Sequence, residues 1–184
     1  MSGGVTSDEI LPYRSCNDCT MCCKLMAVDS FEKPRAVWCQ HCNQKRGCKI
    51  YDNRPQECRS FYCGYRRIAS IDDRWKPSKC KFLINYEEAY GRIVIHVDPV
   101  RPDAWRMEPF YGVLKQWSLN AVRQKSFVIV WVGGNATLVY PDYDRDLGPV
   151  RDDQVFVPVV RITKRGPETE FDLVEPDDPR AQSA

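Results

Sequence analysis

From Lys81 onward, apolar positions recur with a legible period. Residues 82–85 and 92–98 (RIVIHVD) are rich in β-branched and aromatic side chains and predict strands. Across 108–124, Phe110, Val113, Leu114, Trp117 and Ala121 fall at helical spacing, which predicts one amphipathic helix. Residues 126–132 and 136–140 are β-branched runs separated by Gly133-Gly134-Asn135, a hairpin signal. A second pair, 155–163 and 170–174, is predicted across Gly166-Pro167.

The chain before Lys81 reads differently. Between 15 and 80 aliphatic residues are sparse and their spacing is irregular. Such a segment buries too little apolar surface to fold on packing alone. Two short helices are predicted in it. The first starts near Ser15 to Asp18, which are plausible caps, and runs to about Val28. The second follows Asp52 or Asn53, has Pro55 in its first turn, carries Cys58, and stops near Cys63-Gly64. The expected fold is α+β: a Cys-rich module with short helices over residues 15–83, and a small antiparallel sheet with one helix over 84–174. Residues 1–14 and 175–184 are expected to be flexible tails.

Composition sharpens the contrast. All ten cysteines of the 184 residues lie between Cys16 and Cys80. No apolar run reaches the roughly 20 residues of a membrane helix, and no apolar segment opens the chain. A cytoplasmic location is therefore expected, where thiols stay reduced and dense cysteine reads as metal binding before disulfides. Charge divides along the same line. Residues 1–83 hold 15 Lys/Arg against 9 Asp/Glu, and residues 84–184 hold 12 against 16. The basic half is the cysteine half. Eight thiolates on two divalent ions would leave about −4, which nearby Lys and Arg would offset. Local compensation is the preferred reading over a nucleic-acid surface, and no membrane partner is expected.

The spacing is Cys16-x2-Cys19-x2-Cys22-Cys23, then Cys39, Cys48, Cys58 and Cys63. A two-residue gap lets two sulfurs reach one ion at about 2.3 Å. On a continuous helix, at about 100° per residue, the first four thiols would share an arc of about 120°. They would lie along a line and not surround one ion, so a second segment must close any site. Soft sulfur donors favour zinc, iron or an iron–sulfur cluster over magnesium or calcium.

The block Cys16-Asn17-Asp18-Cys19-Thr20-Met21-Cys22-Cys23 resembles the C-x-x-C-x-x-C-C signature of a bacterial family described as zinc- or iron-chelating proteins. Gly47-Cys48-Lys49-Ile50-Tyr51 and Arg54-Pro55-Gln56-Glu57-Cys58-Arg59-Ser60-Phe61-Tyr62-Cys63 are similar to that family's second stretch. The resemblance covers about residues 16–63. It implies metal chelation by Cys16, Cys19, Cys22, Cys23, Cys39, Cys48, Cys58 and Cys63, and leaves Cys42 and Cys80 outside the set. A flagellin lysine methylase carries a related signature, so the resemblance leaves an enzyme open.

Arg54 and Arg59 are candidates to neutralise thiolates, and Tyr51 and Phe61 are expected to pack around the site. His41 is read as a loop residue and His96 as part of a strand. Asp142, Asp144 and Asp146 start like a calcium loop, but Leu147 stands where that loop needs Gly, so an acidic hairpin end is expected. No phosphate loop or nucleophile elbow occurs. The preferred reading is a non-enzymatic protein binding zinc or iron. The alternatives are an enzyme, methyltransferase-like or redox, with a catalytic iron–sulfur centre, and a zinc module that binds nucleic acid.

Overall fold

The computed structural model describes residues 10–16 and 19–183. The architecture is mixed α and β, with few helices and several small sheets. The chain divides into two compact units. One comprises the residues up to Tyr86 together with Ile95–Met107, and the other comprises Glu87–Val94 and everything from Glu108.

In the first unit, regular structure comes in short pieces. Helix α1 spans Met21–Leu25, strands β1 and β2 are Cys42–Asn43 and Gly47–Cys48, and helices α2, α3 and α4 are Gln56–Ser60, Gly64–Arg67 and Pro77–Cys80. The first predicted helix is therefore only five residues long. It ends where Met26 turns extended, at ψ 145°, and the chain then pairs Val28 with Lys33. One turn of helix has few internal bonds to offset its nucleation cost. The second predicted helix is broken in two, and Gly64 opens the second piece instead of ending the first. The reason is packing: a Cβ at Gly64 would stand 2.7 Å from Cβ of Ile84.

Side chains bonded to backbone substitute for regular ladders here. The guanidinium of Arg14 is buried and donates to the carbonyls of Tyr65, at 2.6 Å, and Ile68, at 2.8 Å, as well as to Ile71. Residues 10–14 are thus anchored, with Leu11 N–H donating to the Arg66 carbonyl.

The remaining strands are β3 (Phe82–Glu87), β4 (Arg92–Val97), β5 (Val128–Val132), β6 (Asn135–Val139) and β7 (Asp144–Pro149), hydrogen-bonded in that order. The second unit's helix α5 (Phe110–Arg123) buries Leu114, Trp117, Ala121 and Val122. Its core gathers Val94, Val122, Phe127, Ile129, Leu138, Tyr140 and Phe171. The hairpin β5–β6 turns at Gly133, with φ 61°. A second hairpin pairs β8 (Val155–Thr163) with β9 (Gly166–Val174) along their full lengths. Strand β9 starts four residues earlier than its pattern predicts, because cross-strand pairing extends order through the polar stretch 166–169.

Strand β7 replaces most of the expected acidic turn. Asp144 and Asp146 lie on it, and only Asp142 precedes it. Their carboxylates have separate partners. Asp142 accepts from Arg165 at 2.5 Å, Asp144 from Lys115 at 2.7 Å, and Asp146 from the backbone N–H of Gly148.

Candidate metal centre

Cys16 precedes helix α1, and Cys19 N–H donates to its carbonyl at 2.6 Å. Only Cys22 and Cys23 are helical. The expected row of four thiols on one helix face does not form, because the helix is too short to carry it. Met21 and Leu25 point inward with Leu83, and Cys19, Cys22, Met26, Phe61 and Cys63 pack around them. Phe61 is core packing, as expected. Tyr51 is not: its ring is 60% exposed and lies 3.8 Å from the Arg54 guanidinium.

Two local devices bring the second cysteine block to the first, and a ladder shapes the second block itself. Cys39 N–H donates to the Cys23 carbonyl at 2.9 Å. The β1–β2 ladder sets Cys42 opposite Cys48. The Glu57 carboxylate accepts from the backbone N–H groups of Asp29 and Ser30, at 3.2 and 3.0 Å, tying helix α2 to the loop after α1. Lys33 braces that loop. It is buried, and its ammonium donates to the carbonyls of Lys24, Met26 and Pro34.

The result is a cavity of about 470 Å³ lined by Cys16, Cys19, Cys22, Cys23, Cys39, Cys48 and Cys58. Met26, Val28, Phe31, Ile50 and Phe61 supply apolar wall, and Arg46, Arg54 and Arg66 supply positive charge. Cys63, the eighth signature cysteine, does not line the cavity.

Proximity shows in the thiols' acidities. Burial first, then repulsion from Cys16 and Cys19, pushes the Cys63 thiol up to about 12. The Cys58 thiol is raised by burial and then by Glu57, Cys23, Cys39 and Cys48. Cys23 is raised most by its hydrogen bond with Cys22, then by burial. Cys42 is pushed up to about 12 by burial and by Cys23. Cys63 thus feels Cys16 and Cys19, while Cys58 feels Cys23, Cys39 and Cys48. Thiols of the early and late cysteine stretches therefore influence one another. Burial and crowding both penalise thiolates, and a bound cation would reverse that penalty.

The donor chemistry fits a soft metal ion, with neutral thiols becoming thiolates on binding. As positioned, no three His, Cys, Asp or Glu side chains among the described residues form a metal-ligating set.

Arg59 turns away from the sulfurs. Its guanidinium donates to the carbonyls of Arg54, at 2.8 Å, and Asp52, at 2.6 Å, closing the turn before α2. Arg66 is the arginine that meets a sulfur, with Nη1 3.7 Å from Cys16 Sγ. Lys33, Arg46 and Arg66 escaped the sequence reading. Their signals were faint: Arg66 follows Cys63 by three residues, and Lys33 stands beside Pro34.

Cys80 is buried and does not line the cavity. Its thiol donates to the carbonyls of Trp75, at 3.4 Å, and Phe82, at 3.1 Å, and burial pushes its pKa up to about 12. His41 lines the cavity and rests against Phe31, with ring centroids 4.8 Å apart. His96 is buried in β4.

No protein-family profile matches the chain, and no similarity to a curated protein or a solved structure was found.

Proposed function

We propose that this chain is a non-enzymatic metal-binding protein that takes zinc or iron through cysteine thiolates. The observation that carries this reading is one cavity lined by seven cysteines from two separate stretches of sequence. Ten inert thiols would scatter as small buried hydrophobes. Here seven face a common space, while Cys80 alone adopts the buried, backbone-bonded form of a structural cysteine. The resemblance of residues 16–63 to the C-x-x-C-x-x-C-C family supports the same reading. Cys16, Cys19, Cys22, Cys23, Cys39, Cys48, Cys58 and Cys63 are the proposed ligands. Rotamer changes and small loop shifts would bring them to bonding distance, as metal sites commonly complete themselves on binding.

Bound metal supplies charge neutralisation for crowded thiolates and cross-links between the two cysteine stretches. Lys33, Arg54 and Arg66 offset the negative charge left over. The test is purification without oxygen, followed by metal analysis by mass spectrometry and a visible spectrum. Stoichiometric zinc without colour supports single-ion sites. Iron with sulfide and broad visible absorption supports a cluster. Metal well below one equivalent, with all ten thiols titratable, overturns the proposal.

A further inference from the structure

Strands β8 and β9 form a sheet of two strands, so each has one outer edge. The outer edge of β9 is covered. At Phe171 the backbone N–H donates to Tyr140 Oη at 2.9 Å, and the carbonyl accepts from Arg145 at 3.3 Å. Both main-chain groups of Phe171 therefore point away from β8. In an antiparallel ladder, directly opposed residues share this sense, and it alternates along each strand. Phe171 faces Pro158, and the register runs without a shift from Val155–Val174 to Thr163–Gly166. Pro158, Val160 and Ile162 thus turn their main-chain polar groups outward, away from β9.

The outer edge of β8 is open toward the hairpin tip. Among the described residues, no turn, loop or side-chain bond reaches the main-chain groups of Val160 or Ile162. Their side chains are 73% and 83% exposed. Thr169 and Pro167 stand opposite them on the same face, so that face carries no charge here. The segment Pro179–Ser183 lies beside β8, and its Arg180 reaches Asp172, which pairs with Val157 toward the other end. Pro158 has no N–H and ends the usable edge on that side. Folded proteins usually blunt an edge with charged side chains, a bulge or a covering segment. Val160 and Ile162 have none of these.

The open groups also say what fits them. The N–H and C=O of Val160 and of Ile162 match their own antiparallel copy. With Val160 facing Ile162 of a second chain, and Ile162 facing Val160, each pair exchanges both bonds. The four apolar side chains then close over one two-fold axis. On the other face Arg161 meets its own copy at that axis. Each arrives neutralised, 3.1 Å from Glu170 and 2.5 Å from Asp172. A charged peptide would find no counter-charge on the Val160–Ile162 face.

We infer that the chain forms a symmetric dimer by pairing β8 antiparallel with β8 of a second copy, Val160 opposite Ile162, which joins two hairpins into one four-stranded sheet. The pairing is short, so the dimer is a weak one that depends on concentration. It involves the second unit alone and does not depend on bound metal.

The test is sedimentation equilibrium on the full-length protein as purified, from micromolar to near-millimolar, with reductant present so that intermolecular disulfides do not contribute. A monomer–dimer equilibrium is expected. Hydrogen exchange on the same samples locates the contact. The Val160 and Ile162 amides should exchange at least about tenfold more slowly in the concentrated sample, while those of Val159 and Arg161, already bonded within the hairpin, should change less. Val160→Pro removes one outward N–H, as Pro158 already does, and leaves the ladder to β9 intact. It should weaken the dimer about tenfold or more. Ile162→Lys, which sets a charge in the apolar cluster, should do the same. If Val160→Pro disturbs the hairpin, Ile162→Lys and the wild-type exchange still decide. A monomer over the whole range overturns the inference. So does a dimer in which the two amides exchange at the monomer rate, or one that ignores both substitutions. Protection of these amides in a single copy bound to a different protein would assign the edge to a foreign strand, and would overturn it too.

Discussion

The cysteine segment and the second unit solve stability in opposite ways. The second unit hides Ile129, Ala136 and Leu138 completely and repeats apolar residues on each strand and on α5. At about 25 cal/mol per Å² of apolar surface, such burial is its main source of stability. Among the described residues of the cysteine segment, no helix exceeds five residues and β1 and β2 are two residues each. Its order rests on Arg14, Lys33, Glu57 and Arg59 bonding to backbone, and on cysteines facing a shared cavity. A region with a periodic core spreads its stability over many apolar partners. A region built from single polar braces and crowded thiols is poised to be completed by cross-links.

The largest expected effect breaks the comparison directly. Removing metal with a strong chelator under reducing conditions should open residues 15–80 to protease while β5 to β9 stay protected. Structural zinc in small modules contributes about 10–16 kcal/mol at neutral pH. Limited proteolysis read by mass spectrometry checks it. Equal resistance of both regions after metal removal would show that the cysteine segment folds on its own packing.

The converse perturbation is Leu138→Ala. Leu138 is fully buried in the second unit's core. Truncation should cost about 2–5 kcal/mol. Denaturant unfolding should show the loss, while metal per chain in the folded protein is unchanged. A fall in metal content in step with that loss would mean the two regions do not act separately.

These two regions were also unequally legible from sequence. Helix α5 follows its apolar period because one face is buried, and 82–87 and 92–97 read as strands because their apolar runs are buried on both faces for much of their length. Strand β7 was missed because DRDLGP has little apolar signal and owes its conformation to pairing with β6. In the cysteine segment, the identity and spacing of the thiols suggest a chemistry, taken up above as a proposal, and give no guide to the conformation. A long first helix looked natural from its capping residues, yet Met26 turns away and the chain reverses to pair Val28 with Lys33. Gly64 looked like a stop signal and is instead a contact with Ile84. Arg54 and Arg59 looked equivalent, and only the turn geometry shows Arg59 spent on local carbonyls. Such features are tertiary and leave no periodic trace.

A finer test asks whether the cavity defines the ligand set. Cys80→Ser should leave metal content unchanged and lower stability by about 1 kcal/mol, since its thiol sits in a buried, backbone-bonded niche. Cys58→Ser should lower metal content measurably, because Cys58 lines the cavity among Cys23, Cys39 and Cys48. Metal analysis on both variants, beside thermal unfolding, separates the two. Equal metal loss from both would place Cys80 among the ligands.

The smallest expected effect belongs to the second unit and concerns acid. Asp172 on β9 accepts from Arg145 at 2.8 Å and Arg161 at 2.5 Å, and Arg180 stands 3.4 Å away. Burial opposes its ionisation, but hydrogen bonds from Arg145 and Arg161 outweigh it and hold its pKa below the ordinary carboxylate value. The other acids at this cluster are Glu170, bonded to Tyr143 at 2.7 Å and 3.1 Å from Arg161, and Asp178, which accepts from Arg180 at 2.8 Å. A carboxylate whose folded pKa is depressed stabilises the fold fully above its unfolded pKa, near 3.9. That contribution is lost as pH falls through about 4 and on through the lower folded value. Because the group is partly solvated, the loss should be under about 1 kcal/mol. Hydrogen exchange of the β8–β9 amides between pH 5 and 3 should show protection falling in the wild type more than in Asp172→Asn. The variant should be the less stable of the two at pH 7 and converge with the wild type in acid. Parallel pH curves for the two proteins would mean that Asp172 contributes nothing by its charge. The hairpin would then rest on its backbone ladder and apolar face alone.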